Sequence, residues 1–324
     1  MRSLVTSLIL MLGLAGCAGG PMPEGGEPAT ASNFNQPLYG VYFHDTVRGW
    51  AVGGQGTVFL TRDGGNSWIP QSSGTNRTLQ DVHFVDADNG WAVGDGGTVI
   101  RSLNGGSSWF PLVSGTTSDL LDVVVLSTQG VGFIVGRDGT ILQTQNGGSL
   151  WTPQISGVNK DLHRVHAQSS TTAWVIGRDG LLLKTDNGGV IWTPQISGTT
   201  RTLYGLSFVG NNGWAVGEAG SLIQTTTSPV IWTQRAAIAP GHLRDVFFIN
   251  SQIGWIVGEG GTILTTTQFG TFWIPRGSGT TETLYRVRFI NSQMGWAVGG
   301  GGVILRTLDG GIFWTRGFIA PGMR

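Results

Sequence analysis

Apolar and polar positions along this chain recur with a period close to forty residues. The leading aromatic of each unit falls at Trp50, Trp91, Phe133, Trp174, Trp214, Trp255 and Trp296, at spacings of 41, 42, 41, 40, 41 and 41 residues. A second tryptophan follows each of these eighteen residues later, at Trp68, Trp109, Trp151, Trp192, Trp232, Trp273 and Trp314. The constant eighteen-residue interval implies that this half of the unit tolerates no insertion. Each unit divides into four short apolar runs: an L-x-x-V-x-F pattern such as Leu79 to Phe84, then G-W-A-V-G, then G-T-V-I-R-S, then a run opened by the second tryptophan. The runs are rich in Val, Ile, Thr and Trp and too short for stable helices, so they predict strands. Pairs such as Asn104-Gly105, Asn146-Gly147 and Asp63-Gly64 separate the third and fourth runs. Such pairs accept positive φ and close hairpins at little cost.

Seven units of four strands at this period predict an all-β fold, a seven-bladed β-propeller of four-stranded antiparallel blades. A lone blade cannot bury both its faces, whereas a closed ring can. Tryptophan has the area to fill the wedge that widens between blades away from the axis. The repeats begin and end on unit boundaries, which predicts no exchange of strands between the first and last blades; residues 30–37 are the segment placed to supply one.

Composition then narrows the function. Nineteen basic and nineteen acidic residues cancel, so no net field draws the chain to nucleic acid. Cys17 is the only cysteine, which excludes a disulfide framework and a thiolate metal site. Arg2 precedes an apolar run from Leu4 to Leu14. As a helix the run spans roughly 16 Å, against a hydrocarbon core of about 30 Å, so it reads as a signal peptide. Its end, Leu14-Ala15-Gly16-Cys17, resembles a bacterial lipobox, which implies cleavage before Cys17 and lipidation of its thiol. The expected division is therefore a leader at 1–17, a flexible Gly/Pro-rich linker at 18–36, and the propeller at 37–324.

The segment Thr61-x-Asp63-x-Gly65-x-x-Trp68 resembles the Asp-box of BNR-type repeats. Together with G-W-A-V-G and "GTVFLTRDGGNSW", the chain from about residue 38 to 316 resembles the Ycf48/HCF136 group of photosystem II assembly factors and their bacterial relatives. The resemblance implies a lipid-anchored propeller that is not an enzyme, uses no cofactor and binds a newly made reaction-centre subunit, in part through an arginine-rich patch. The expected location is the outer membrane or periplasm of a bacterium, or the lumenal side of a cyanobacterial thylakoid, with the protein monomeric. In a non-photosynthetic host the alternative is an envelope scaffold or a ligand- or glycan-binding lipoprotein.

Catalytic readings fare poorly against the residues present. The acidic Asp-box position holds Asp63 and Asp309 in the outermost units but Asn104, Asn146, Asn187, Thr227 and Gln268 between them. A catalytic carboxylate would not drift in this way, whereas a turn-forming hydrogen-bond acceptor can. Sialidases, which share Asp-boxes, need an arginine triad and a Tyr/Glu pair, yet the four tyrosines, Tyr39, Tyr42, Tyr204 and Tyr285, all lie in first strands. His163 and His166 sit three apart, and on a regular strand they would point to opposite faces and share no metal ion.

A binding face follows from the register. In a propeller, the turns joining second to third strands and the interblade loops emerge together. Four residues after each leading aromatic the units read Gly54, Asp95, Arg137, Arg178, Glu218, Glu259 and Gly300. With Lys160, Arg164 and Arg201 nearby, Arg137 and Arg178 predict a basic sector over blades 3 to 5. Glu218, Glu259 and Glu282 make the later blades acidic. The basic sector resembles the family's arginine patch only loosely.

Overall fold

The computed structural model describes residues 35–126, 130–225 and 231–319. Cys17, the leader, most of the linker and Thr227 lie outside those residues. Seven sheets follow one another along the chain, each with its strands in sequence order from the hub outwards. Blade 1 runs Leu38–Phe43, Gly49–Gly53, Val58–Thr61 and Ser67–Gln71. Blade 2 repeats it as Leu79–Phe84, Gly90–Gly94, Thr98–Ser102 and Phe110–Leu112. The first strands of blades 3 to 7 are Leu120–Val125, Leu162–Ala167, Leu203–Val209, Leu243–Phe248 and Leu284–Phe289.

The L-x-x-V-x-F spacing, three residues and then two, places its apolar residues on one face only if the strand is bulged. It is, in all seven blades: Leu79 pairs with Gly94 but Asp81 already with Val93, and the same slip recurs at every first strand. The extra residue turns Leu79 to the side of Val82 and Phe84, where all three pack with Trp50, Val52 and Val58 of the preceding blade.

Five of the seven blade joints then carry an aromatic stack, while Trp91 and Phe133 pack with Val125 and Ala167 at the other two. Trp50 lies over Phe84 of the next blade with ring centroids 3.5 Å apart, and Trp214 over Phe248 at 3.6 Å. The second tryptophan of the receiving blade meets the same phenylalanine edge-on, as Trp109 meets Phe84 at 5.7 Å. Stacked and edge-to-face pairs are each worth about 0.5–1.5 kcal/mol beyond the area they bury. The indole also latches the next blade: Trp50 Nε1 donates to Gly105 O at 3.0 Å, Trp91 to Gly148 O at 2.9 Å and Trp255 to Gly310 O at 2.8 Å. Phe133 has no such donor. The strand residue opposite it, Gln143, supplies one instead, its Nε2 donating to Gly188 O.

The accepting carbonyls belong to the Asp-box turns, which behave as hydrogen-bond frames. Asp63 Oδ1 accepts from Thr61 Oγ1 at 2.8 Å and from Ser67 N at 3.0 Å, while Asn104 Oδ1 accepts from Ser108 N at 2.9 Å. Asp and Asn are equivalent for this purpose, which accounts for their exchange between blades. Phe269 occupies the site where blades 1 to 4 and 7 have a left-handed glycine, at φ 57°. That conformation costs a bulky residue of order 1 kcal/mol or more. Its carbonyl accepts from both Trp214 Nε1 at 3.2 Å and Gln224 Nε2 at 2.8 Å, which offsets the cost.

Ring closure uses the same interface plus one additional strand. Trp296 of blade 7 stacks on Phe43 of blade 1 at 3.4 Å and donates to Gly64 O at 2.9 Å. All four antiparallel strands of blade 1 come from the N-terminal side, so the last blade lends it none of them. Residues 35–37 form no strand. Instead Phe318–Ile319 pairs in parallel with Ser67 and Trp68, a fifth strand on the outer edge of blade 1 that the repeat pattern did not predict. In blades 1 to 4 and 6 the outer strand carries a proline, Pro70, Pro111, Pro153, Pro194 and Pro275. Proline removes a ladder donor and discourages edge pairing.

If Gln143 stands in for an indole, Gln143→Leu leaves the Gly188 carbonyl without its donor and lowers stability by about 1–3 kcal/mol. Urea unfolding followed by tryptophan fluorescence measures this; an unchanged midpoint would show that the latch at Phe133 contributes nothing.

Candidate functional site

The turns after the second strands and the interblade loops share one face, held together by backbone hydrogen bonds. Arg137 N donates to Asp119 O at 2.9 Å, Arg178 N to Asp161 O at 2.9 Å and Glu218 N to Thr202 O at 2.9 Å. On this face Arg137 and Arg178 stand on consecutive blades with side chains 57% and 64% exposed. Lys160 and Arg201 are exposed on the loops that follow. Acidic neighbours moderate the charge: Arg137 Nε lies 3.1 Å from Asp119, and Lys160 Nζ lies 3.2 Å from Asp179, which also sits 3.8 Å from Arg178. Arg201 Nη1 donates to Ala219 O at 2.9 Å. Exposed pairs of this kind contribute about 0–1 kcal/mol, so they remain open to exchange for a partner's carboxylates.

Arg164 does not join this exposed set. Its side chain turns inward at the third position of the first strand, 8% exposed, and belongs to an ion network at the hub. That position reads Gly40, Asp81, Asp122, Arg164, Gly205, Asp245 and Arg286 around the ring. Arg164 Nη1 lies 3.0 Å from Asp122 and its Nη2 lies 3.3 Å from Asp245. Arg286 reaches across to Asp81 and to Asp122, the latter at 2.6 Å, and Arg288 contacts Asp245 at 3.0 Å. Each carboxylate also accepts a backbone N–H from the next first strand: Asp81 from Val123 at 3.2 Å, Asp122 from Val165 at 2.8 Å and Asp245 from Val287 at 3.0 Å. Gly40 and Gly205 are the small members, and a Cβ on Gly205 would come within 2.7 Å of the Asp245 Cα. Burial pushes the Asp122 and Asp245 carboxyls up to about 7, against the pull of Arg286 on the first and Arg288 on the second. The signal for this hub was present in the sequence as charges at one fixed position, between the apolar first and fourth residues of the strand.

A cavity of about 360 Å³ lies against the network, with His83, His166 and Arg288 in its lining. Regular alternation would separate His163 from His166, but the bulge defeats it. Both imidazoles face blade 5, His163 against Tyr204 at 5.2 Å and His166 against Phe208 at 5.4 Å. They lie at different levels of the strand, and among the described residues no three His, Cys, Asp or Glu side chains gather as metal ligands. Burial lowers the pKa of His83, His163 and His166 to about 4.

A histidine depressed in this way is neutral in the folded protein and charges in the unfolded chain, so it withdraws stability as pH falls from about 6.5 to about 4. His166→Phe removes one such group, for an effect of at most about 3 kcal/mol. Thermal midpoints of the two proteins should therefore diverge in the variant's favour between pH 7 and pH 4.5; a difference independent of pH would show that His166 is not held neutral.

Comparison with known proteins places this architecture. The model of the family described as photosynthesis system II assembly factor YCF48 matches residues 29–110, 71–152, 107–201 and 230–321. No curated protein matches in sequence. A solved structure described as YCF48 bound to D1 peptide superposes with a TM-score of 0.71 at 20% identity, covering 85% of this chain and 92% of that one. YCF48 from Cyanidioschyzon merolae gives 0.69 at 23% identity, covering 85% and 96%. A GH74 xyloglucanase from Xanthomonas campestris gives 0.71 at 12% identity over 88% of this chain and 54% of the enzyme, a likeness of fold alone. With matches spread over most of the propeller, the chain belongs to the YCF48 family of photosystem II assembly factors.

Proposed function

We propose that this protein is a non-catalytic propeller, held to its membrane by a lipid on Cys17, that binds a subunit of a membrane protein complex during assembly. In a photosynthetic host that subunit is a photosystem II reaction-centre protein. The observation that carries the reading is the family match across the blades. A structural neighbour described as bound to a D1 peptide supports it. The exposed side chains of Arg137, Lys160, Arg178 and Arg201 offer the contact surface, and their weak surface pairs with Asp119 and Asp179 can open without unsettling the fold. Arg164 supports this face from within through its hub contacts rather than touching the partner.

Affinity capture from the protein's own membranes, followed by mass spectrometry, tests the reading. Reversing Arg137, Arg178 and Arg201 to Glu should abolish recovery of the partner and leave the thermal midpoint within a few degrees; undiminished capture would exclude this sector. Recovery of an envelope protein or glycan instead of a photosynthetic subunit would favour a scaffold or glycan-binding role. Cys17→Ser should move the protein from the membrane to the soluble fraction.

A further inference from the structure

One interblade loop departs from the repeat. In the others a serine folds its hydroxyl back onto the carbonyl two residues on, as Ser73 does to Thr75 O at 3.0 Å and Ser278 to Thr280 O at 3.1 Å. Between blades 5 and 6 the chain reads Ala236-Ala237-Ile238-Ala239-Pro240-Gly241, with no serine. The reshaped loop leaves a groove of about 920 Å³ between itself and the outer strands of blades 6 and 7. Ile238 and Pro240 form an apolar wall, and Arg276 and Arg316 line the groove with Glu282.

Unlike Arg137, Lys160 and Arg178, these two side chains form no ion pair among the described residues, although Glu282 lines the same groove. The Arg316 side chain makes no hydrogen bond or ion pair among the described residues, and the Arg276 side chain uses only its Nε, on Thr265 Oγ1 at 3.1 Å. Arg316 stands where blades 1 to 4 and 6 carry the edge-guarding proline. Two guanidiniums with free forks beside a half-buried apolar wall suit a carboxylate next to an apolar side chain. The volume is too large for a single ion and matches a short stretch of extended chain. The recessed Ile238 and the like charge of Glu282 both oppose a flat anionic membrane.

We propose that this groove is a second protein-binding site, distinct from the Arg137–Arg178 sector, that takes an extended peptide segment carrying an acidic residue beside an apolar one. The carboxylate meets Arg276 and Arg316, the apolar side chain packs on Ile238 and Pro240, and Glu282 repels a reversed placement. The inference rests on the reading that the protein binds protein segments.

Fluorescence anisotropy with a labelled octapeptide of alternating Leu and Glu, on the full chain at low salt, tests it. The peptide should bind saturably, and its Gln counterpart should not. Arg276→Gln with Arg316→Gln should weaken binding by about tenfold or more, and Glu282→Gln should strengthen it. Arg316→Gln alone, at an exposed side chain that forms no hydrogen bond or ion pair among the described residues, serves if the double variant melts early. Equal binding of the Gln peptide, unchanged affinity in the arginine variants, or loss only of sedimentation with phosphatidylglycerol vesicles would overturn the proposal. Arg137→Gln with Arg178→Gln should leave the peptide titration unchanged. Failure of native-partner capture with an intact titration would count against the proposed function alone.

Discussion

The packing of each leading aromatic on the first strand of the next blade, a tryptophan on a phenylalanine at five of the seven joints, is the contact on which the rest of this structure depends. Each sheet is apolar on both faces, and neither face can be buried except by a neighbour. The ring pair supplies area, and at Trp50, Trp91, Trp214, Trp255 and Trp296 the indole N–H supplies register by reaching a turn carbonyl on the adjacent blade, whereas Trp174 donates to Gln168 Oε1 of its own blade. Where the indole is missing, at Phe133, an amide from the facing strand restores the same bond. The requirement is thus for a donor at that point in space rather than for a given residue type. Closure uses the same contacts, Trp296 on Phe43 and on the Gly64 carbonyl, together with the short strand added to the outer edge of blade 1.

With the ring held by its aromatic faces, other positions are free to vary. The third residue of the first strand ranges over glycine, aspartate and arginine, and these charges meet only at the hub. A buried ion network is weak evidence of stability, since desolvation offsets much of the attraction. Here each carboxylate also satisfies a backbone donor of the adjacent strand, so it links neighbouring blades even where its charge contributes little. The exposed turns vary more widely still, and they carry the surfaces assigned to partner binding.

Much of the candidate face was legible because register in a repeat protein is a coordinate. Arg137 and Arg178 occupy the same place in successive units, and a turn position in one blade is a turn position in all. Arg164 is in the hub instead because the bulge at Leu162 changes which side of the strand its third residue occupies. The same bulge brings His163 and His166 to one side against the expectation of strict alternation. Such a slip is a matter of strand pairing, and pairing is a property of two segments rather than one.

The sequence by itself determined the number of blades, the four strands in each and the turn chemistry between them. Those depend on local periodicity and on interactions within about forty residues, repeated seven times. Tertiary structure alone decided how charges dispersed along the chain compensate one another. Arg286 meets Asp122 from 164 residues away, while Arg316, a few residues from the end of the described chain, forms no ion pair among the described residues. The fifth strand on blade 1 was decided there too: two residues after the last repeat carry no pattern of their own, and they become a strand only because closing the ring brings them to an open edge.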